Sequence, residues 1–227
     1  QSRFTGISNI SDNFNEEVMG EGMETGSAIY STTTDGHLRP LDTCIINNYD
    51  DLKSAMEAAH LPTLNHSIRV RICVTNIGLA CKLNDIILTK LSIAAEIHDI
   101  GKIRVPSTIL DKQTKLNDDD WSILKMHPKW GAEIAARAFQ YWPEIAKWVL
   151  MHHERLDGSG YPLGLKGEDI PVMVRIISAA DAFCALTEDR PFRAALSDIE
   201  ALDILSHQDR GKYDERILKV LADIYNC

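Results

Sequence analysis

From residue 50 onwards the sequence is predicted to form one helix after another. Apolar residues recur at three- and four-residue steps, as in helices that bury one face. Prolines and a glycine separate the segments. The predicted helices span 50–60, 63–83, 84–100, 121–126, 128–139, 143–153, 171–186, 197–207 and 213–225. The pattern predicts an all-α fold, a layered helical bundle of about eight or nine helices.

The first fifty residues differ from the rest in composition. They carry eight acidic and two basic side chains and are rich in Ser, Thr, Asn and Gly. Asp35 and Gly36 would supply the turn of a short hairpin, although Pro40 weakens its second strand. A linker from a missing sensory or receiver domain is the alternative. We predict an irregular or hairpin-containing linker or accessory segment over 1–50 and one domain over 51–227.

Charge and cysteine content argue against several classes of protein. The formal net charge of −9 argues against duplex nucleic acid as a partner, because DNA binds to basic surfaces. Five cysteines without a CxxC spacing favour reduced thiols in the cytoplasm over a disulfide framework. No signal peptide and no apolar run near 18 residues is present, so no membrane segment is predicted. The chain begins at Gln1, which favours a fragment of a longer protein.

Two strings about fifty residues apart carry most of the chemistry. HDIGK at 98–102 places a histidine beside a carboxylate at the end of an apolar run, with a lysine close behind. HHERLDGSGYP at 152–162 places two histidines before a glycine-rich loop that no helix continues. Adjacent residues on a helix point about 100° apart, so His98 and Asp99 can reach one ion only near a helix end or a crossing.

Asp181 lies among apolar neighbours in the segment ISAADAF at 177–183. A buried carboxylate without a counter-charge is costly, and no basic residue is close in sequence, so a metal ion is the simplest partner. His66 lies on a preceding helix, and His127 lies in the string MHP at 126–128. Each residue alone is more typical of a structural core, and only their combination favours a metal site.

Together these strings resemble the HD-GYP family, metal-dependent phosphodiesterases of bacterial cyclic dinucleotides. The resemblance covers roughly residues 62–225 and implies an HD-superfamily helical bundle. Its implied metal ligands are His66, His98, Asp99, His127, His152, His153 and Asp181. Mixed imidazole and carboxylate ligands suit two divalent ions such as iron or manganese better than a structural zinc. Relatives with a third metal use a glutamate where this chain has Pro62, so we predict two ions.

The resemblance implies a catalytic role for Asp99 and Lys102. Asp99 would bridge the two ions, and a bimetal hydroxide would attack the phosphodiester and linearise the cyclic dinucleotide. Lys102 would offset the developing charge on the scissile phosphate and help the leaving group. The alternative for Lys102 is to cap the end of a helix. For Glu154, beside two candidate ligands, we expect a role in orienting an imidazole.

The substrate side is predicted from the glycine-rich loop and from DRPFR at 189–193, which resembles the family's DRPYR stretch. Tyr161 would either stack on a guanine base or pack in the core. The two arginines would grip the uncleaved phosphate, or else be solvated in a surface turn. The candidate substrate-binding residues are Gly158, Gly160, Tyr161, Pro162, Arg190 and Arg193.

Several alternatives remain open from the sequence. The substrate would be cyclic di-GMP or 3′,3′-cyclic GMP-AMP, and no residue decides between them. A catalytically silent cyclic-dinucleotide-binding or docking module is one alternative function, and an HD-type nucleotidase is another. In the family the GYP loop is also proposed to contact diguanylate cyclase domains. A second copy of the chain, in a homodimer, is a further candidate partner.

Overall fold

The computed structural model describes residues 30–32, 38–40, 49–189 and 193–225. Ten α-helices lie in this part of the chain: α1 Tyr49–Ala59, α2 Leu61–Ala80, α3 Asp85–Ile97, α4 Ser107–Leu110, α5 Asp118–Leu124, α6 His127–Ala138, α7 Pro143–Met151, α8 Val172–Leu186, α9 Asp198–Asp203 and α10 Glu215–Tyr225. Because α4 is a single turn, the nine longer helices confirm the predicted all-α bundle. Short 3-10 helices span Ile100–Arg104 and Gly167–Asp169, and a π-helical turn spans Ile204–Gln208.

A two-stranded antiparallel hairpin precedes the helices. Strand β1, Tyr30–Thr32, pairs with β2, Leu38–Pro40, in a register that sets Tyr30 opposite Pro40. The predicted Asp-Gly turn at 35–36 lies outside the described residues. The domain boundary predicted at residue 50 stays a prediction, because 1–29 and 41–48 also lie outside them.

Two helices end earlier than the sequence predicted, and this places candidate ligands at helix ends. Helix α3 begins after Asn84, whose side chain accepts the Ile87 N–H at 2.9 Å, and it ends at Ile97 rather than near residue 100. Helix α7 begins at Pro143 and ends at Met151, two residues short of the predicted end at 153. Both pairs, 98–99 and 152–153, therefore follow the last turn of a helix.

The core lies where α2 packs against α3 and α8, and α7 packs against α3 and α6. Burial of the apolar faces of these helices is the main force that holds them together. Fully buried members of this core include Val74, Ile77, Leu91, Ile97, Val149 and Ile177. No described helix is both long and apolar enough to cross a membrane. Cys73, Cys81 and Cys184 are free thiols, whereas Cys44 and Cys227 lie outside the described residues.

The 3-10 helix after α3 approaches the start of α6 so closely that only glycine fits at the contact. A Cβ built on Gly101 would lie 1.9 Å from the carbonyl oxygen of His127 and 2.6 Å from the amide nitrogen of Gly131. These atoms belong to the backbone, so they cannot move aside as a side chain can. This contact holds the segment that carries Asp99 against the helix that carries His127.

We predict that Gly101→Ala lowers the free energy of unfolding by at least about 2 kcal/mol, because the new methyl group overlaps backbone atoms. Gly78→Ala is the matched control. Its Cβ would be nearest to Cδ1 of Leu88, the flexible end of a side chain, and alanine favours the helix. Urea unfolding of both variants measures the difference. Equal stability of the two variants would contradict the proposed backbone contact.

Candidate metal centre

The structure brings all seven predicted metal ligands together from five places in the bundle. His66 projects from α2 and Asp181 from α8, and the other five lie at or just beyond helix ends. All are buried except His153, which is half-buried. They form two groups in which the possible ligand atoms lie within 4.8 Å of one another: His66, His98 and Asp181 in the three-residue group, and Asp99, His127, His152 and His153 in the four-residue group.

The three-residue group is centred on one carboxylate oxygen. Asp181 Oδ1 lies 2.9 Å from His66 Nε2 and 3.8 Å from His98 Nε2. These contacts give Asp181 the basic partners that its neighbours in sequence do not supply.

The four-residue group is built around three imidazole nitrogens. His127 Nε2 lies 3.3 Å from His152 Nε2 and 3.1 Å from His153 Nε2. Asp99 Oδ1 lies 3.2 Å from His127 Nε2 and 3.9 Å from His152 Nε2. Nitrogen lone pairs this close repel one another unless a proton or a cation lies between them.

Both carboxylates face both groups. The second oxygen of Asp99, Oδ2, lies 3.5 Å from His98 Nε2 in the three-residue group, while its Oδ1 faces the four-residue group. The second oxygen of Asp181 lies 3.9 Å from His153 Nδ1 in the four-residue group. Asp99, which we predicted as the bridge, therefore faces both groups, and Asp181 does so as well.

Three of the imidazoles and both carboxylates in the centre favour the protonation states that metal ligands require. Burial lowers the pKa of His98, His152 and His153 and favours neutral imidazoles. Burial acts to raise the pKa of Asp99, but the charge of Lys102 and the adjacent imidazoles of His98 and His127 outweigh it and hold that pKa well below its usual range. Neutral imidazole and ionised carboxylate are the metal-binding forms of these side chains.

The pKa of the Asp181 carboxyl is lowered in the same way as that of Asp99. Burial raises its pKa, but the hydrogen bond to His66 and the nearby His98 outweigh burial and keep that pKa well below its usual range. For His66 burial lowers the pKa, while hydrogen bonds to Asp181 and Glu188 prevail and raise it to about 9. His66 therefore lies between two anions.

Unsatisfied buried atoms indicate that the centre fits a cation. Within the described part of the chain, His98 Nε2 is fully buried and has no hydrogen-bond partner. Asp99 Oδ1 is also buried without a well-directed hydrogen bond, although His127 Nε2 lies 3.2 Å away. Such atoms are rare in folded proteins, and a divalent ion would satisfy them together. The donor set therefore fits divalent metal binding.

Backbone carbonyls orient three of the histidines. The Nδ1 atoms of His98, His127 and His152 each donate to the carbonyl three residues earlier, at 2.7, 2.6 and 2.7 Å. These carbonyls belong to the last turns of α3, α5 and α7, where helix geometry leaves them without an amide partner. Each Nε2 is thereby directed into the centre.

The role that we predicted for Glu154 is wrong. Both of its carboxylate oxygens accept backbone amides, from Leu163 at 2.7 Å and Leu165 at 2.9 Å, so it holds the glycine-rich loop, and it has no hydrogen bond to an imidazole among the described residues. The glutamate that does contact a candidate ligand is Glu188, with both carboxylate oxygens 3.0–3.1 Å from His66 Nδ1. Its 122-residue separation from His66 left no local signal in the sequence.

The glycine-rich loop folds back over the end of α7. Gly158 has a positive φ of 81°, and a Cβ on Gly160 would lie within about 2.5 Å of the 153–155 backbone. Tyr161, joined to exposed Pro162 by a cis peptide bond, is half-buried. Its ring lies 4.7 Å from that of His153 between centroids, with 33° between the planes. The loop thus contacts the metal centre through this aromatic pair.

Three basic residues from the sequence analysis have different surroundings. Lys102 lies at the centre, where its Nζ donates to Asp99 Oδ2 at 2.5 Å. The Arg193 guanidinium donates to the carbonyl of Ala185, one turn beyond Asp181. Arg190 lies outside the described residues.

A family model described as HD domain matches residues 45–217. The 3′3′-cGAMP-specific phosphodiesterase 3 of Vibrio cholerae is 34% identical over 191 residues, which are 82% of this chain and 41% of that protein. The cyclic di-GMP phosphodiesterase response regulator RpfG of Xanthomonas campestris is 39% identical over 132 residues, 58% of this chain and 35% of that protein.

The chain therefore spans about two fifths of the length of these curated relatives. A solved structure, a HDG"Y"P protein from Bdellovibrio bacteriovorus, matches the fold with a TM-score of 0.60 and 22% identity. That match covers 81% of this chain and 59% of the solved one. With its helical bundle and its clustered histidines and aspartates, the chain belongs to the HD domain family and is a member of the HD-GYP group.

Proposed function

We propose that this domain is a phosphodiesterase that hydrolyses a cyclic dinucleotide, either cyclic di-GMP or 3′,3′-cyclic GMP-AMP, to the linear dinucleotide. The observation that carries the proposal is the pair of buried His/Asp groups with two carboxylates between them and Lys102 alongside. The names of the relatives, which include phosphodiesterases for each of these two dinucleotides, support the substrate class.

The proposed cofactors are two divalent ions, iron or manganese. One ion would be held by His66, His98 and Asp181, and the other by Asp99, His127, His152 and His153. Two groups of nitrogen and oxygen donors, with carboxylates facing both, support two ions rather than one. The seven donors include no thiolate, which argues against a structural zinc and suits borderline metals.

In the proposed reaction water attacks the phosphorus atom, and the bond from phosphorus to the 3′ oxygen breaks. Bound divalent ions supply Lewis acidity, which makes water a nucleophile near neutral pH. Lys102 Nζ, a quarter exposed and next to Asp99, is placed to offset the charge that develops on the phosphate and to protonate the leaving oxygen. The products are a 5′-phosphate and a free 3′ hydroxyl.

The substrate contacts follow from the loop and from the DRPFR stretch. Gly158, Gly160, Tyr161 and Pro162 would form one wall of the pocket, with Glu154 holding the loop from behind. Tyr161 lies against His153, so the loop and a metal ligand would respond to substrate together. Arg190 and Arg193 would bind the uncleaved phosphate.

The remaining proposals concern the alternative functions and the binding partners. A silent binding module would have little need for all seven ligands, and all seven are brought together here. The exposed face of the loop, at Pro162 and Leu163, is the proposed contact for diguanylate cyclase domains. A homodimer and a cytoplasmic location stay predictions.

We expect the domain, purified without oxygen and loaded with iron or manganese, to cleave a cyclic dinucleotide and leave a dNTP intact. Asp99→Ala should lower the rate at least about 100-fold, because it removes a carboxylate shared by both groups. His207→Ala, a change of an exposed histidine remote from the centre in sequence, should keep the wild-type rate. Chromatography of the products from cyclic di-GMP, 3′,3′-cyclic GMP-AMP and a dNTP measures the hydrolysis of each substrate by the wild type and by both variants. Two bound ions without turnover would leave a binding module as the better account.

Lys102→Met should lower kcat by about 10²–10³-fold while both ions stay bound, because it removes the charge and proton but keeps most of the length of the side chain. Lys115→Met, at an exposed loop position, is the matched control and should leave kcat unchanged. Steady-state kinetics with parallel metal analysis separates the two effects. A Lys102→Met protein with normal kcat would exclude Lys102 from the reaction.

A further inference from the structure

We infer that Glu188 is a positioning residue that holds His66 in the orientation required for metal binding. The inference rests on the proposed metal centre and adds a residue to it. The Nδ1 atom of His66 lies 3.0 and 3.1 Å from the two carboxylate oxygens of Glu188, and its Nε2 lies 2.9 Å from Asp181. The imidazole is thereby fixed at both nitrogens.

His66 differs from three of the other candidate histidines in its place on a helix. His98, His127 and His152 bond their Nδ1 to carbonyls in the last turn of a helix, which are free to accept. His66 lies inside the twenty-residue helix α2, where the preceding carbonyls already accept amides of the following turn. A side chain must therefore take the place of the backbone acceptor, and Glu188 is in that position.

The region around Glu188 is built to keep the carboxylate there. Glu188 follows the end of α8, the helix that also supplies Asp181. Arg69, three residues after His66 on α2, donates to the carbonyl and the hydroxyl of Thr187 at 3.0 and 3.1 Å. This contact ties the end of α8 to α2 beside His66. Helix α8 thus places one partner at each nitrogen of the same ring.

The contact between Glu188 and His66 concerns the three-residue group of the centre. A carboxylate on Nδ1 keeps that nitrogen protonated, so the proton released when a metal binds is the one that Nε2 shares with Asp181; the same carboxylate increases the basicity of Nε2. Loss of Glu188 would weaken binding of the ion held by His66, His98 and Asp181. Because Glu188 contacts His66 of the three-residue group, the ion of the four-residue group should be retained.

We would load wild type, Glu188→Ala and Glu188→Gln with Co²⁺ and measure stoichiometry, visible absorption and metal release to a chelator. Loss of such a carboxylate should weaken one of two ions roughly 10- to 100-fold, and the Ala variant should show this. The Gln variant keeps an amide oxygen as acceptor and should recover most of the affinity. In Glu188→Ser the side chain is too short to reach His66, so this variant is a second test of weakened metal binding. Glu57→Ala, an exposed glutamate on α1, is the control for charge.

Tight binding of both ions by Glu188→Ala and Glu188→Ser would overturn the inference. Equal loss of Co²⁺ affinity in the Gln and Ala variants would also overturn the inference, because it would indicate that the carboxylate binds the ion directly. Wild-type protein that binds no Co²⁺ would contradict the proposed metal centre, and the inference would fall with it. Wild-type protein that binds two ions but hydrolyses nothing would contradict the proposed activity alone.

Discussion

Two ionised carboxylates in the interior of a helical bundle, Asp99 and Asp181, are the constraint on which the rest of this structure depends. They are 2% and 8% exposed, and their pKa values stay low against the effect of burial. A carboxylate in such a place needs compensating partners, since its hydration is lost. Imidazoles from four helices or their ends, and one lysine, converge on them. The resulting cluster gathers imidazole nitrogens and carboxylate oxygens, which are donors that suit a divalent cation.

Helix termination gives this cluster its geometry. The last turn of a helix leaves carbonyls without amide partners, and those of α3, α5 and α7 accept the Nδ1–H of a histidine that follows. The same hydrogen bond gives the carbonyl at the helix end a donor and directs the Nε2 of the histidine into the centre. The approach of Gly101 to the start of α6 then brings two such ends together. Backbone carbonyls therefore orient His98, His127 and His152, whereas His66, which lies inside a helix, contacts the side chain of Glu188 instead.

The substrate side is coupled to the metal side through a few contacts. Glu154 holds the loop by two amides, and Tyr161 rests on the ring of His153. A change in the loop would reach a candidate ligand directly through this ring pair. The family match covers the helical domain, while the matched segments make up 41% and 35% of the two relatives. The chemistry proposed here is therefore that of the domain.

The sequence by itself determined the helices, because apolar periodicity and proline positions are local properties. It also identified the seven residues that the structure brings together, because their types and order match a known family. Tertiary structure decided how those seven divide into groups of three and four, that Asp181 faces both groups as Asp99 does, and that Glu188 rather than Glu154 contacts an imidazole. These features depend on how helices more than a hundred residues apart cross and pack. Local patterns do not encode crossing angles, so only the folded chain specifies which side chains meet.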